Sequence, residues 1–233
     1  MPNDTSLNLK ILVLGESHAT AISRAAEELS LETIKAFDVR RGSPSKKFCR
    51  DQYSSLKPEV LVLAFGGTEH NIVGLIEADP KFDFYWPPFS DYCSDRHLLP
   101  ASALEELLRH RIRSGLDRAL DARSAFDCPA FALAPPPPFR KVDEMTLLPS
   151  AFSGLLEAGI TPAPIRRKLY AMGCALMREA YASHGIPLIE APTAALDEDG
   201  YLHRHLWGRD PTHGNHRYGS LVLDRLSEEA INA

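Results

Sequence analysis

Short apolar runs and helix-spaced apolar residues alternate about five times along this chain, and this alternation restricts its fold more than any other feature. Leu9 to Leu14 is nearly continuous in apolar residues and stops at Gly15. So short a run, ended by a glycine, is the pattern of a strand covered on both faces. Ala19, Ile22, Ala25, Ala26 and Leu29 then recur at helical spacing, and Thr33 to Val39 reads as a second strand. Val60 to Phe65 is a third strand, stopped by Gly66-Gly67. From Pro100 to Ala125 the spacing predicts a helix, with Ser102 and Glu105 as a capping box and Leu104, Leu108, Ile112, Leu116 and Leu120 at four-residue intervals. Ala130 to Ala134 is a fourth strand, ended by Pro135-Pro136-Pro137-Pro138. Ile165 to Ser183 is helical, Ile186 to Ile189 a fifth strand, and Tyr218 to Ile231 a last helix.

Strands alternating with helices imply a parallel sheet covered on both faces by right-handed crossovers. The expected fold is a three-layer α/β/α domain with a flavodoxin-like sheet of about five strands in the order 2-1-3-4-5. Residues 1–233 form a single domain, since no linker or composition break divides them. Two departures are expected: a surface excursion over 79–99, rich in prolines, acids and aromatics, and an insertion or lid over 139–162. Ligands of such sheets bind beyond the carboxyl ends of the strands. Gly15-Glu16-Ser17, Gly42-Ser43, Gly66-Gly67-Thr68 and the tetraproline follow the first four strands, so all should gather at one edge.

The formal charge of −5 argues against nucleic acid as a partner, because phosphate neutralisation needs a basic surface. Arg40-Arg41, Lys46-Lys47 and Arg166-Arg167-Lys168 are read as solvated faces. Cys49, Cys93, Cys128 and Cys174 form no C-x-x-C pair and read as reduced thiols, Cys128 and Cys174 in the core. No signal peptide and no membrane-length apolar run is visible, so the expected location is the cytoplasm, with no membrane partner.

Chemistry concentrates at the two ends of the chain. Ser17 follows the first strand in Gly15-Glu16-Ser17-His18, where a helix should begin; Asp210-Pro211-Thr212-His213 precedes the last helix. A serine hydroxyl becomes a strong nucleophile once an imidazole takes its proton, and the imidazole needs an orienting carboxylate. Ser17 alone could equally be a helix cap. His203, His205, His213 and His216 with Asp210 also offer a metal alternative, although their spacing matches no standard metal motif. No metal and no cofactor is expected. His18, His70 and His216 are read as pocket-lining or backbone-satisfying residues, His203 and His205 as surface residues. Phe82, Phe84, Tyr85, Trp86 and Phe89 could stack on a sugar, cover an acyl chain, or pack the excursion onto the body.

These blocks, in this order, resemble the SGNH hydrolases, also called the GDSL esterase/lipase superfamily. Gly-Glu-Ser-His stands here where the family most often has Gly-Asp-Ser, and Asp210 with His213 matches its Asp-x-x-His block. Gly42 matches the second block. The third, normally Gly-x-Asn-Asp, is nearest to Gly66-Gly67-Thr68-Glu69, with Thr68 at the asparagine position. The resemblance implies Ser17 as nucleophile, His213 as general base and then acid, and Asp210 as orienting group. It implies an oxyanion hole from the backbone N–H groups of Ser17 and Gly42 and a third, side-chain donor, either Asn71 or Thr68. The expected function is a serine esterase acting through a covalent acyl-enzyme on a small O-acyl ester, with an acylated carbohydrate as one candidate. Acyl transfer to an alcohol is a close variant, and a catalytically silent glycan- or partner-binding protein or a metal-dependent hydrolase are the rivals.

Overall fold

A computed structural model describes residues 7–41, 48–142, 152 and 154–231. Strands β1 (Leu7–Gly15), β2 (Ile34–Asp38) and β3 (Leu56–Ala64) alternate with helix α1 (Ala19–Glu28) and the short α2 (Glu69–Gly74). After β4 (Phe82–Asp83) and β5 (His97–Leu98) come the long helix α3 (Ala101–Arg123), β6 (Ala130–Leu133), α4 (Ala163–Ala182), β7 (Leu188–Ile189) and α5 (His216–Ile231). Five strands form one parallel sheet in the order β2-β1-β3-β6-β7, which is the expected 2-1-3-4-5 with the small β4–β5 pair set aside.

The sheet is apolar on both faces, as its sequence runs require. Leu12 and Leu14 of β1 and Leu61 and Leu63 of β3 join the layer of Leu104, Leu108 and Leu169 from α3 and α4. Ile11, Val13, Val60 and Val62 face the layer of Ile22, Ala25, Val222 and Leu226 from α1 and α5. Gly15 pairs with Asp38 on one side and Ala64 on the other, so three strands end level. A Cβ on Gly15 would lie 2.3 Å from the Ala64 carbonyl oxygen; only glycine allows this approach where the chain leaves the sheet.

The predicted capping box is not formed. The helix starts at Ala101 behind Pro100, whose φ of −59° and ψ of 129° end an extended segment, and no side chain caps it. Ser102 therefore already lies inside the first turn. The four-residue leucine repeat also drifts off the buried face, because four residues overshoot one 3.6-residue turn. Leu104, Leu108 and Ile112 are buried, and Gly115, Ala119 and Ala122 then continue the buried stripe, with Leu116 and Leu120 partly buried and packed against the same core.

Reading Arg166-Arg167-Lys168 as a solvated face was wrong at two of its three positions. Arg166 is buried and donates to the carbonyl oxygens of Thr161 (2.9 Å), Phe139 (2.6 Å) and Arg140 (3.0 Å). Lys168 is fully buried against Asp83, with Nζ 2.5 Å from Oδ1 and also donating to the carbonyls of Phe84 (2.9 Å) and Asp91 (3.0 Å). All three ammonium donors are thus used, as a buried lysine requires. The pair fastens residues 82–91 onto α4. Around it, Phe82 and Phe84 are buried in the α3–α4 layer and Trp86 packs against it, so the packing reading holds for these three, whereas Tyr85 is exposed. Lys46 and Lys47 lie outside the described residues, as does most of the expected lid: of 139–162, only 139–142, 152 and 154–162 are described. All four cysteines are free. No helix of the described residues is long and apolar enough to cross a membrane.

Candidate active site

The first half of the site is built where β1 ends. Glu16 N–H donates to the Ala64 carbonyl (3.1 Å), and Ala19 and Thr20 N–H groups donate back to the carbonyls of Glu16 and Ser17 (3.0 and 3.1 Å). This tight turn starts α1 at Ala19, with His18 at the cap position and no capping side chain. Ser17 is therefore not a helix cap. Its side chain and its backbone N–H make no hydrogen bond among the described residues. Glu16 pairs with Arg118 of α3 at 3.0 Å and accepts from the Gly66 N–H at 3.4 Å, tying the turn after β1 to the turn after β3.

The second half is a tight loop before α5. Gly208 N–H donates to the His213 carbonyl (2.7 Å), and Trp207 bridges to Gly214. A Cβ on Gly208 would lie 2.3 Å from that carbonyl oxygen. Asn215 holds both sides: its amide donates to the carbonyls of His205 and Trp207, and its Oδ1 accepts from the Arg217 and Tyr218 N–H groups that open α5. Trp207 lies flat on Phe139, with ring centroids 4.6 Å apart. Within this frame His213 Nδ1 sits 2.8 and 2.9 Å from the two Asp210 oxygens. Thr212 reinforces the carboxylate, its N–H donating to Oδ1 at 2.9 Å and its hydroxyl lying 2.7 Å from the same oxygen. Burial pushes the Asp210 pKa up, but the hydrogen bonds from His213 and Thr212 outweigh it and hold the carboxyl below its ordinary value.

Packing of α5 on α1 joins the halves. Gly219 lies so close that a Cβ there would sit 2.2 Å from the Ala21 carbonyl oxygen. Ser17, His18, Asp210 and His213 consequently line one cavity of about 490 Å³, walled by Pro136 and Trp207. Its lining residues Ser17, Arg41 and Pro136 follow the carboxyl ends of β1, β2 and β6, where an open α/β sheet binds ligands. Ser17 Oγ and His213 Nε2 are not bonded to each other; Nε2 is buried without a partner among the described residues, leaving free the nitrogen that a general base uses. The His18 ring lies 5.1 Å from that of His213, and neither of its nitrogens has a partner among the described residues. Burial first, then the neighbouring histidines, lowers its pKa to about 3 and keeps it neutral.

Other candidates fall in different places. Gly42 lies outside the described residues. Thr68 lines a separate cavity with Glu16, Glu69 and Arg118. Asn71 is buried in α2, with no hydrogen bond to its side chain among the described residues. Neither Thr68 nor Asn71 is among the described lining of the Ser17 cavity. His70 is buried edge-on to Tyr170, and burial lowers its pKa to about 4. His216 lines the cavity and faces Glu28 at 3.5 Å, while the rings of His203 and His205 lie tilted against each other with centroids 5.5 Å apart. Among the described residues no three His, Cys, Asp or Glu side chains are grouped to hold a metal ion.

Sequence reasoning missed Thr212 and Arg24. A hydroxyl residue beside the histidine of an Asp-x-x-His block was the available signal for the first. Helical periodicity was the signal for the second: Thr20, Ala21 and Arg24 lie three, four and seven positions after Ser17, and all line its cavity.

No family model and no curated protein matches this chain. Its backbone is similar to that of a Bacteroides fragilis protein assigned as an acylhydrolase, with 10% identity and a TM-score of 0.50, covering 99% of this chain and 89% of that one. It is also similar to a GDSL-like lipase from Bacteroides thetaiotaomicron (10% identity, TM-score 0.49, 99% and 91% covered). An extracellular lipase from Streptomyces rimosus is comparably similar (14% identity, TM-score 0.49, 94% and 99% covered). At such identities the likeness speaks to the fold alone.

Proposed function

We propose that this chain is a serine esterase of the SGNH type, acting through a covalent acyl-enzyme on a small O-acyl ester. One observation carries the reading: Ser17 from one end of the chain and the Asp210–His213 pair from the other line the same cavity at the carboxyl edge of the sheet. In the proposed reaction Ser17 Oγ attacks the ester carbonyl while His213 Nε2 takes the hydroxyl proton. Asp210 fixes the ring through Nδ1 and stabilises the imidazolium that forms. His213 then protonates the leaving alcohol, and water releases the acyl group by the reverse proton path. A neutral His18 beside His213 suits this cycle, since a second cation there would oppose formation of the imidazolium.

The unbonded Ser17 N–H is one oxyanion donor in this scheme, and Gly42 N–H, by the family resemblance, a second. Asn71 is the better candidate for the third. Its amide offers two N–H donors where a hydroxyl offers one, and Thr68 borders the separate Glu16–Arg118 cavity. An alkyl fluorophosphonate tests the reading. It should label the wild type once, at Ser17, and leave Ser17→Ala unlabelled. A wild type that takes up no phosphonate and hydrolyses no ester in a panel of increasing acyl length refutes it and leaves a binding protein.

A further inference from the structure

The cavity carries a charge pattern that ester chemistry alone does not need. Arg24, Arg41 and Arg209 all line it, with His216 beside them. The lining holds one carboxylate, Asp210, and that group is occupied by His213 and Thr212. Arg24 and Arg209 make no ion pair or hydrogen bond among the described residues. Arg41 reaches Asp38 only through a 3.6 Å contact, and Asp38 is already held by Arg40 through two bonds of 2.9 Å.

Seven of the other fifteen arginines have an acid partner among the described residues. Arg96 pairs with Glu77, Arg118 with Glu16, Arg140 with Asp197 and Asp199, and Arg225 with Glu228 and Glu229. Among the described residues, then, Arg24 and Arg209 have no acid partner and Arg41 only a distant one, around the mouth of one cavity in a chain of net charge −5. A concave, low-dielectric wall focuses such a field and raises the local concentration of anions. The planar guanidinium fork is matched to carboxylate, phosphate and sulfate oxygens.

We infer that the esters turned over here carry an anionic group, a carboxylate, phosphate or sulfate, on the part of the molecule away from the scissile bond, and that Arg24, Arg41 and Arg209 form its subsite. The inference rests on the esterase reading for its substrate role but not for binding. Arg24 projects from α1 one and two turns beyond Thr20 and Ser17, and Arg209 directly precedes Asp210. A ligand bridging these arginines therefore lies across the mouth with its ester directed toward Ser17. Binding energy from this remote group would orient the carbonyl.

Matched 4-substituted phenyl acetates test it: one neutral, and one each bearing a carboxylate, a phosphate and a sulfate. The wild type should favour the anionic members in kcat/KM by at least tenfold over the neutral one, with the advantage shrinking as salt is raised from 20 to 300 mM, roughly as screening demands. The three anionic arms identify which group the subsite takes. In Arg24→Gln/Arg209→Gln that preference should collapse toward unity, and Arg24→Lys/Arg209→Lys should restore part of it. A wild type that treats neutral and anionic esters alike, or a double Gln variant that keeps the preference, overturns the inference. Trp207, in the cavity wall, gives a readout that needs no turnover. Its fluorescence should titrate with phenyl phosphate, phenyl sulfate or benzoate in the wild type and not in the double Gln variant. If Ser17 takes no phosphonate, this titration still decides the subsite: saturation lost in the variant supports it, and no titration by any of the three anions refutes it.

Discussion

Asp210 Oδ1 accepts from the Thr212 N–H, lies within hydrogen-bond reach of the Thr212 hydroxyl, and shares the Nδ1–H of His213 with Oδ2. At the proposed base, then, orientation depends on two residues. In His213→Ala, kcat on a good ester should fall by about 10⁴–10⁶-fold, and in Asp210→Asn by less, because the orienting carboxylate is the more dispensable partner. Thr212→Val removes one bond to a charged acceptor and should lower kcat by about tenfold to a hundredfold. It acts through Asp210, so KM should stay put; a rise in KM alone, measured on the same ester, would show that Thr212 meets substrate instead. Asn71→Ala should slow acylation by about 10²–10³-fold with Thr68→Val mild, and the reverse order would move the side-chain donor to Thr68. Ser17, Asp210 and His213 could be read in the sequence because each stands in a short block whose spacing matters. Thr212 had only a hydroxyl beside the histidine as its signal, since its bond to Asp210 depends on a loop closed by the contact of Gly208 with the His213 carbonyl.

Among the elements, α1 and α5 decide whether the site exists, because each carries one half of it. Their contact is closest at Gly219, where a methyl group would lie 2.2 Å from the Ala21 carbonyl and 3.0 Å from the Ile22 nitrogen. Backbone on both sides leaves no side chain to swing away. Gly219→Ala should therefore destabilise the fold by about 1–3 kcal/mol through overpacking, seen as a lower urea midpoint. It should also cut phosphonate labelling of Ser17 by more than the loss of folded protein, since α5 must back away and carry His213 with it. Stability and labelling equal to the wild type would mean that the helices do not meet here. Elements whose apolar pattern has one possible partner were legible: the parallel sheet and four of the helices follow from alternation alone. Features that depend on what a neighbouring element offers were not. Charged residues at 166 and 168 read as solvated until Thr161, Phe139 and Asp83 supply the carbonyls and carboxylate that bury them.

For the molecule as a whole, two buried imidazoles link stability to pH. His18 and His70 are held neutral, their pKa values lowered by burial from 6.5 to about 3 and about 4. The unfolded chain takes up a proton at each below about pH 6.5, and the folded chain does not, so stability must fall as the solution is acidified through that range. Each imidazole contributes a slope of up to about 1.4 kcal/mol per pH unit. Glu69 works the other way at the lower end: burial raises its pKa above 4.5, so the folded state gains its proton first on acidification and recovers some stability there. Asp38 and Asp210, lowered below 3.8 against their burial by bonds from Arg40 and from His213 with Thr212, lose their contribution only at more acid pH. Between pH 7 and 5 the two histidines therefore set the sign. Unfolding free energies from urea titrations at pH 7.5, 6.5, 5.5 and 5.0 should decrease toward acid with a slope approaching two protons, about 2.7 kcal/mol per unit. His70→Asn should remove about half of that slope, and His18→Gln with His70→Asn nearly all of it. A wild type whose stability is flat from pH 7 to 5, or a double variant that keeps the slope, would mean that these rings are open to protons in the folded state.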